Sequence, residues 1–339
     1  MAEGGFGIDP AALAPWLADI GVEFSGELRV ERIGLGQSNL TFRLTDGAGR
    51  RWVLRRPPLG RLLSSAHDVV REARILTALE DTDVPTPRVL GVFLDAGAPL
   101  VLMEFVDGVV VDSPAVAMGL SLHRRRAIGL SLGETLARVH AVDLDRAGLA
   151  DLASRRPYAE RQLARWSRQW ERSRTRELPA LEALTERLRA AIPAQRETTL
   201  VHGDFHLRNV ITGTDGEVTA VLDWELCTLG DPLADLGTLL AYWPEPGDAV
   251  GGELSASVLP GFPHRDEIAS GYLDHTGRDP AALGFWHALG LWKVAIIGEG
   301  VLRRAIDDPR NRAAAGTATA EQINALIDSA TEVADAAGL

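Results

Sequence analysis

Two apolar runs, each ending in a carboxylate, constrain this 339-residue chain more than any other feature. Leu200-Val201 leads into His202-Gly203-Asp204-Phe205-His206-Leu207-Arg208-Asn209. Further on, Val218–Leu222 delivers Asp223, followed by Trp224-Glu225. Short apolar runs of this kind read as buried strands that release the chain into loops. Two carboxylates and an amide at strand ends make an oxygen-rich site suited to Mg²⁺, which prefers hard oxygen ligands. A separate carboxylate can orient a hydroxyl and accept its proton.

Composition narrows the classes around that site. The chain is 46% hydrophobic and 24% charged, which excludes a disordered, collagenous or coiled-coil chain as a whole. Its length predicts two domains or one bilobal unit. The net charge of −12 argues against nucleic acid as a partner. No apolar run is expected to reach membrane-spanning length, so no membrane partner is expected. The start MAEGGFGIDP lacks a secretory pattern. Cys227 is the only cysteine, which leaves no internal disulfide and no multi-cysteine metal site. A cytoplasmic enzyme is the expected class. Lys293 is the only lysine, so the other 34 of 35 basic residues are arginine.

Residues 1–106 predict a small antiparallel sheet with one helix. Strands are expected at Glu27–Ile33, Leu40–Leu44, Arg51–Arg55, Arg88–Leu94 and Leu100–Val106, with a helix at Ala66–Leu79. Residues 107–339 predict a mainly helical part. Helices are expected at Arg124–His140, Tyr158–Ser173, Leu181–Ile192, Phe285–Arg304 and Ala320–Ala336. Glycines and backbone N–H groups in Gly34-Leu35-Gly36-Gln37-Ser38-Asn39 can approach phosphates. On Tyr158–Ser173, Arg161, Arg165, Arg168 and Arg172 share one helical face, and Leu163, Trp166 and Trp170 another. The basic face reads either as solvated or as a surface that attracts an anionic acceptor.

The Asp204/Asn209 spacing with Asp223 resembles the catalytic and metal loops of protein kinases. With His-Gly-Asp, Leu-Asp-Trp-Glu and Gly230-Asp231-Pro232-Leu233-Ala234-Asp235-Leu236, it resembles the aminoglycoside phosphotransferase family. Leu54-Arg55-Arg56-Pro57-Pro58, His67-Asp68-Val69-Val70-Arg71-Glu72 and Arg161–Trp170 resemble its subfamily fused to acyl-CoA dehydrogenases.

The resemblance implies a bilobal α+β protein-kinase-like fold with a hinge near residues 104–108. It implies transfer of a γ-phosphoryl group from ATP, or from GTP, with Mg²⁺, to a small-molecule hydroxyl. It makes Asp204 the catalytic base and Asn209 and Asp223 the metal ligands. Gly34, Gly36, Ser38, Arg55, Glu72, Met103 and the backbones of Glu104 and Val106 become the nucleotide site. Arg55 stands where kinases carry a lysine paired with a helix glutamate, here Glu72, and the fused subfamily often carries arginine there. His202 is expected to hold the loop by a hydrogen bond, and Asp231 to brace it from behind. His206, Arg208 and Glu225 are candidates for substrate or supporting roles. The acceptor is a hydroxyacyl-CoA or related metabolite, or an aminoglycoside. A non-catalytic pseudokinase or nucleotide-binding module is the alternative of another class. The oligomeric state is left open.

Overall fold

The computed structural model describes residues 8–34, 39–57, 68–94, 98–154, 156–248, 256–308 and 317–339. Gly36 and Ser38 lie outside them, as does the start of the predicted Ala66–Leu79 helix. The chain divides into two compact units, Met1–Asp107 with Ala220–Glu225, and Gly108–Thr219 with Leu226–Leu339. Asp223 therefore belongs with the sheet unit, although the sequence reading placed it in the helical part.

The first unit opens with a helix that periodicity did not predict, α1 (Pro10–Asp19). Asp9 caps it through a 2.9 Å bond from the Ala11 N–H, but Pro15 inside it reads as a breaker. Five strands follow, β1 (Arg29–Ile33), β2 (Leu40–Thr45), β3 (Arg51–Arg56), β4 (Val89–Phe93) and β5 (Leu100–Glu104), with α2 (Val69–Leu79) between β3 and β4. They form an antiparallel sheet in the order β1-β2-β3-β5-β4. Alternation sorts the sheet's faces. Phe42, Leu44, Trp52 and Leu54 join Leu13 and Leu17 of α1 in one core. Arg55 stands one residue from Leu54 and so projects from the opposite face, toward Glu72 of α2. Asp68 caps α2 through the Arg71 N–H at 2.8 Å, which starts the helix with Glu72 in its first turn.

The second unit carries α3 (Pro114–Met118), α4 (Leu122–His140), α5 (Tyr158–Ser173) and α6 (Pro179–Ala190), and then β6 (Thr199–Val201). β7 (Val210–Thr212) forms a hairpin with β8 (Val218–Val221), whose last two residues, Ala220 and Val221, count with the first unit, and β9 (Thr228–Gly230) pairs antiparallel with β6. α7 (Leu233–Ala241), α8 (Arg265–Thr276), α9 (Leu283–Asp307) and α10 (Ala320–Ala336) complete it. On α5, Leu163, Trp166 and Trp170 are buried, as their spacing predicts.

The helix Pro280–Asp307 is long and apolar enough by length and composition to cross a membrane, which corrects the expectation that no run reaches that length. Here that helix packs against α7 and α10 in the core of its unit. Its crossing with α7 is close. A Cβ on Gly290 would stand 2.7 Å from the Gly237 carbonyl, so only glycine lets the two backbones meet there. One turn beyond Gly290 comes Lys293.

Candidate active site

In the second unit the end of β6 releases the chain into His202-Gly203-Asp204. Gly203 takes φ +84°, and a Cβ there would lie 2.7 Å from the Leu226 carbonyl, so the turn requires glycine. The buried imidazole of His202 accepts the Asp204 N–H at 3.2 Å through Nδ1, the loop-holding bond expected of it. The carboxylate behind the loop is Asp235, not Asp231. Asp235 accepts the His202 N–H at 2.6 Å and the Gly203 N–H at 2.8 Å, and His140 Nε2 lies 3.3 Å away. Tyr272 closes that chain, its hydroxyl 2.7 Å from His140 Nδ1. Asp231 instead accepts the Leu233 N–H at 3.0 Å at the start of α7. Both acids stand in the quoted Gly230–Leu236 motif. The signal that favours Asp235 is its place among the leucines and alanines of the helix LADLGTLLA, buried along its whole length, where a carboxylate needs a buried partner.

Burial alone would raise the Asp235 pKa, but bonds from His140 and the Gly203 N–H bring it below the ordinary carboxylate value. Burial holds His140 below its usual value, toward the neutral form. Asp231 is pushed up to about 6, chiefly by burial.

Asp204 and Asn209 come together as their spacing predicts. The Asn209 Nδ2 donates to the Asp204 carbonyl at 2.9 Å and reaches Oδ2 at 3.3 Å. With its nitrogen so engaged, the Asn209 amide offers Oδ1 as a hard acceptor. His206 also faces this group, with Nε2 3.4 Å from Asp204 Oδ2, while its ring packs on Tyr242 and its Nδ1 accepts the Arg208 N–H. The Arg208 side chain is exposed. Asp204 Oδ1 is different: it is buried and has no hydrogen-bond partner among the described residues. The nearby cation is Lys293, whose Nζ lies 3.9 Å away and donates to the Gly203 carbonyl at 2.5 Å. Burial alone would raise the Asp204 pKa, yet His206, Lys293 and His202 together bring it well below the ordinary carboxylate range.

The first unit holds the other carboxylates. Arg55 Nε lies 2.9 Å from Glu72 Oε2, and Arg55 NH2 lies 2.6 Å from Asp223 Oδ1. The predicted Arg55–Glu72 pair is present, but the guanidinium is shared with Asp223, which sequence did not reveal. One cation facing two carboxylates cannot fully offset both, and burial pushes Glu72 up to about 7 against the pull of Arg55. Asp223 has φ 64°, the one described non-glycine residue with positive φ. Such strain is held at functional turns when its surroundings enforce it. The Trp224 N–H donates to Glu72 Oε1 at 3.3 Å and the Arg71 guanidinium to the Glu225 carbonyl at 3.4 Å, which ties the turn to α2. Glu225 Oε2 accepts from buried Asn39 at 3.3 Å. Gly34 has φ +77°, suited to the turn after β1. Met103 is buried on β5. The Glu104 N–H is already given to the Arg88 carbonyl at 2.9 Å, so only its carbonyl can meet a base. Val106 lies just past β5 and is partly exposed.

The basic face of α5 is only partly available. Arg161 donates to the carbonyls of Leu229 at 2.5 Å and Arg156 at 3.1 Å, and Arg165 lies over the Trp166 ring. Arg168 and Arg172 are exposed.

The model of the phosphotransferase enzyme family matches residues 29–286. Acyl-CoA dehydrogenase family member 10 of Mus musculus is 38% identical over 325 residues, covering 93% of this chain and 30% of its own length. The chain thus spans under a third of that relative. A solved structure from Ralstonia eutropha JMP134, assigned as an aminoglycoside phosphotransferase, is 31% identical with a TM-score of 0.78, covering 97% of this chain and 98% of its own. The amicoumacin kinase hAmiN, solved with AMP-PNP and Ca²⁺, shares the fold at 15% identity and TM-score 0.58, over 95% of this chain and 93% of its own.

Proposed function

The chain belongs to the phosphotransferase enzyme family, and on that premise we propose that it is a small-molecule kinase that moves the γ-phosphoryl group of ATP to a hydroxyl. The observation that carries this reading is Asp204, whose part-exposed carboxylate is held beside Asn209 with its buried Oδ1 flanked by a cation. In the proposed step, Asp204 accepts the acceptor's hydroxyl proton as the new O–P bond forms and the bond to the nucleoside diphosphate breaks. The depressed pKa of Asp204 keeps its carboxylate ionised.

Asn209 and Asp223 are the residues that would hold Mg²⁺, and their oxygen donors are of the kind this ion takes. Bound there, the ion would neutralise charge on the phosphates. Gly34, Gly36 and Ser38 are proposed to meet the phosphates, joined by Arg55 held on Glu72. Met103, the Glu104 carbonyl and Val106 would meet the base. The complex of hAmiN, which shares the fold, with AMP-PNP and Ca²⁺ supports a nucleotide and a divalent ion.

For the acceptor we favour an anionic hydroxylated metabolite such as a hydroxyacyl-CoA. Arg168 and Arg172 are exposed on α5, and a curated relative bears an acyl-CoA dehydrogenase name. An aminoglycoside is the competing acceptor, supported by the name of the Ralstonia structure. The second reading is a nucleotide-binding module without turnover, which the engagement of Asp223 by Arg55 favours. Incubation with ATP, Mg²⁺ and a metabolite pool, read by mass spectrometry for a gain of one phosphoryl group, tests the proposal. A thermal shift with nucleotide but no phosphorylated product would support the binding module instead.

A further inference from the structure

Lys293 is the one lysine in a chain that otherwise uses arginine. It is buried on α9, a helix seated against α7 through the glycine crossing. A buried ammonium is costly unless its charge and protons are met. Here they are met on one loop. Nζ donates to the Gly203 carbonyl at 2.5 Å and lies 3.9 Å from Asp204 Oδ1. The Trp166 ring lies 5.5 Å from it, close enough for a cation–π contact. A guanidinium carries the same charge, but its flat fork does not fit a point contact of this kind.

The two Asp204 oxygens are therefore treated differently. Oδ2 faces Asn209 Nδ2 at 3.3 Å and His206 Nε2 at 3.4 Å. Oδ1 makes no hydrogen bond among the described residues and has the ammonium at ion-pair distance. We infer that Lys293 is a positioning residue for phosphoryl transfer: by binding the Gly203 carbonyl and flanking the buried Oδ1, it anchors the Asp204 carboxylate in the orientation that presents its accessible side to the acceptor hydroxyl. This rests on the kinase reading above. Lys293 exchanges no proton. The hydroxyl proton goes to the Asp204 carboxylate, the O–P bond forms, and the nucleoside diphosphate leaves with the electrons of the broken P–O bond.

Lys293→Met keeps the stem against Trp166 and removes the charge. With water as acceptor and phosphate release from ATP as the readout, kcat should fall about 10²-fold, the scale of a misplaced reacting group, with the ATP KM little changed. Lys293→Arg should recover part of the loss. In an Asp204→Asn background, Lys293→Met should cost nothing more, because the lysine acts through Asp204. A crystal structure of Lys293→Met should show the Asp204 carboxylate turned from its wild-type orientation. Equal losses in both backgrounds, an unchanged kcat, or an unmoved carboxylate would each overturn the inference. Wild-type turnover reports on the kinase reading by itself. The carboxylate's orientation reports on Lys293 even where turnover is absent.

Discussion

Arg55 and Asp223 form a 2.6 Å ion pair, from near the end of a sheet strand to a strained turn 168 residues later in the chain. The same guanidinium holds Glu72. If it also serves the nucleotide phosphates, Arg55→Ala should raise the ATP KM and lower kcat, together by about 10–100-fold in kcat/KM, the loss expected for a buried charged contact of 1.5–3 kcal/mol. Arg55→Lys should be partly tolerated, since an ammonium keeps the charge but cannot span both carboxylates. Steady-state kinetics with varied ATP checks this. Wild-type kinetics for Arg55→Ala would place the arginine in a purely structural role.

The brace behind the catalytic loop separates Asp235 from Asp231. Asp235→Ala leaves the N–H groups of His202 and Gly203 without an acceptor in a buried site. It should cost about 3 kcal/mol or more of unfolding free energy in denaturant melts. Asp231→Ala removes one bond at a helix start and should cost about 1 kcal/mol, typical of a lost cap.

Much of this arrangement was legible in the residues. Alternation through Leu40–Leu44 and the stripe on Arg124–His140 mark real elements because burial on one face is a local, periodic demand. The Asp204/Asn209 contact was legible because five residues of one loop bring them together. The Arg55–Asp223 pair was not, because nothing local encodes a contact across such separation. α1 was missed because Pro15 interrupts its pattern, and the core demands of the sheet override that signal. Asp235 was passed over for Asp231 because both stand in one short motif, and only the packing of α7 decides which one faces the loop.

His287 contributes a loss of stability on mild acidification, in the opposite sense to Glu72 and Asp231, whose raised pKa values favour the folded chain as pH falls. Burial first, then Arg265, holds the His287 pKa down to about 4 against the pull of Glu245, from an ordinary value of 6.5. Between those values the unfolded chain binds a proton that the folded chain does not. The His287 contribution is therefore full above pH 6.5 and is lost as pH falls toward 4. Allowing for partial exposure, the loss is about 2 kcal/mol. His287→Phe should remove that contribution, so its stability relative to the wild type should rise from pH 7 through 5.5 to 4 in urea melts.

The acceptor reading predicts that hydroxyacyl-CoAs outperform kanamycin-type aminoglycosides. Arg165→Glu/Arg168→Glu should lower turnover of the CoA substrates by about tenfold, one charge-assisted contact's worth, and leave folding unchanged. Side-by-side phosphorylation assays check it. Efficient aminoglycoside turnover, unchanged or improved by the charge reversal, would contradict it.

The central claim is that Asp204 accepts the hydroxyl proton while Asp223 serves the metal and nucleotide. The direct measurement pairs nucleotide affinity, by calorimetry with Mg²⁺, with single-turnover phosphoryl transfer in Asp204→Asn and Asp223→Asn. Asp204→Asn should bind nucleotide as the wild type does but transfer about 10²–10⁴-fold more slowly, the range for loss of a general base. Asp223→Asn should lose Mg²⁺-dependent affinity. Equal loss of affinity in both variants, or transfer by Asp204→Asn at the wild-type rate, would contradict it.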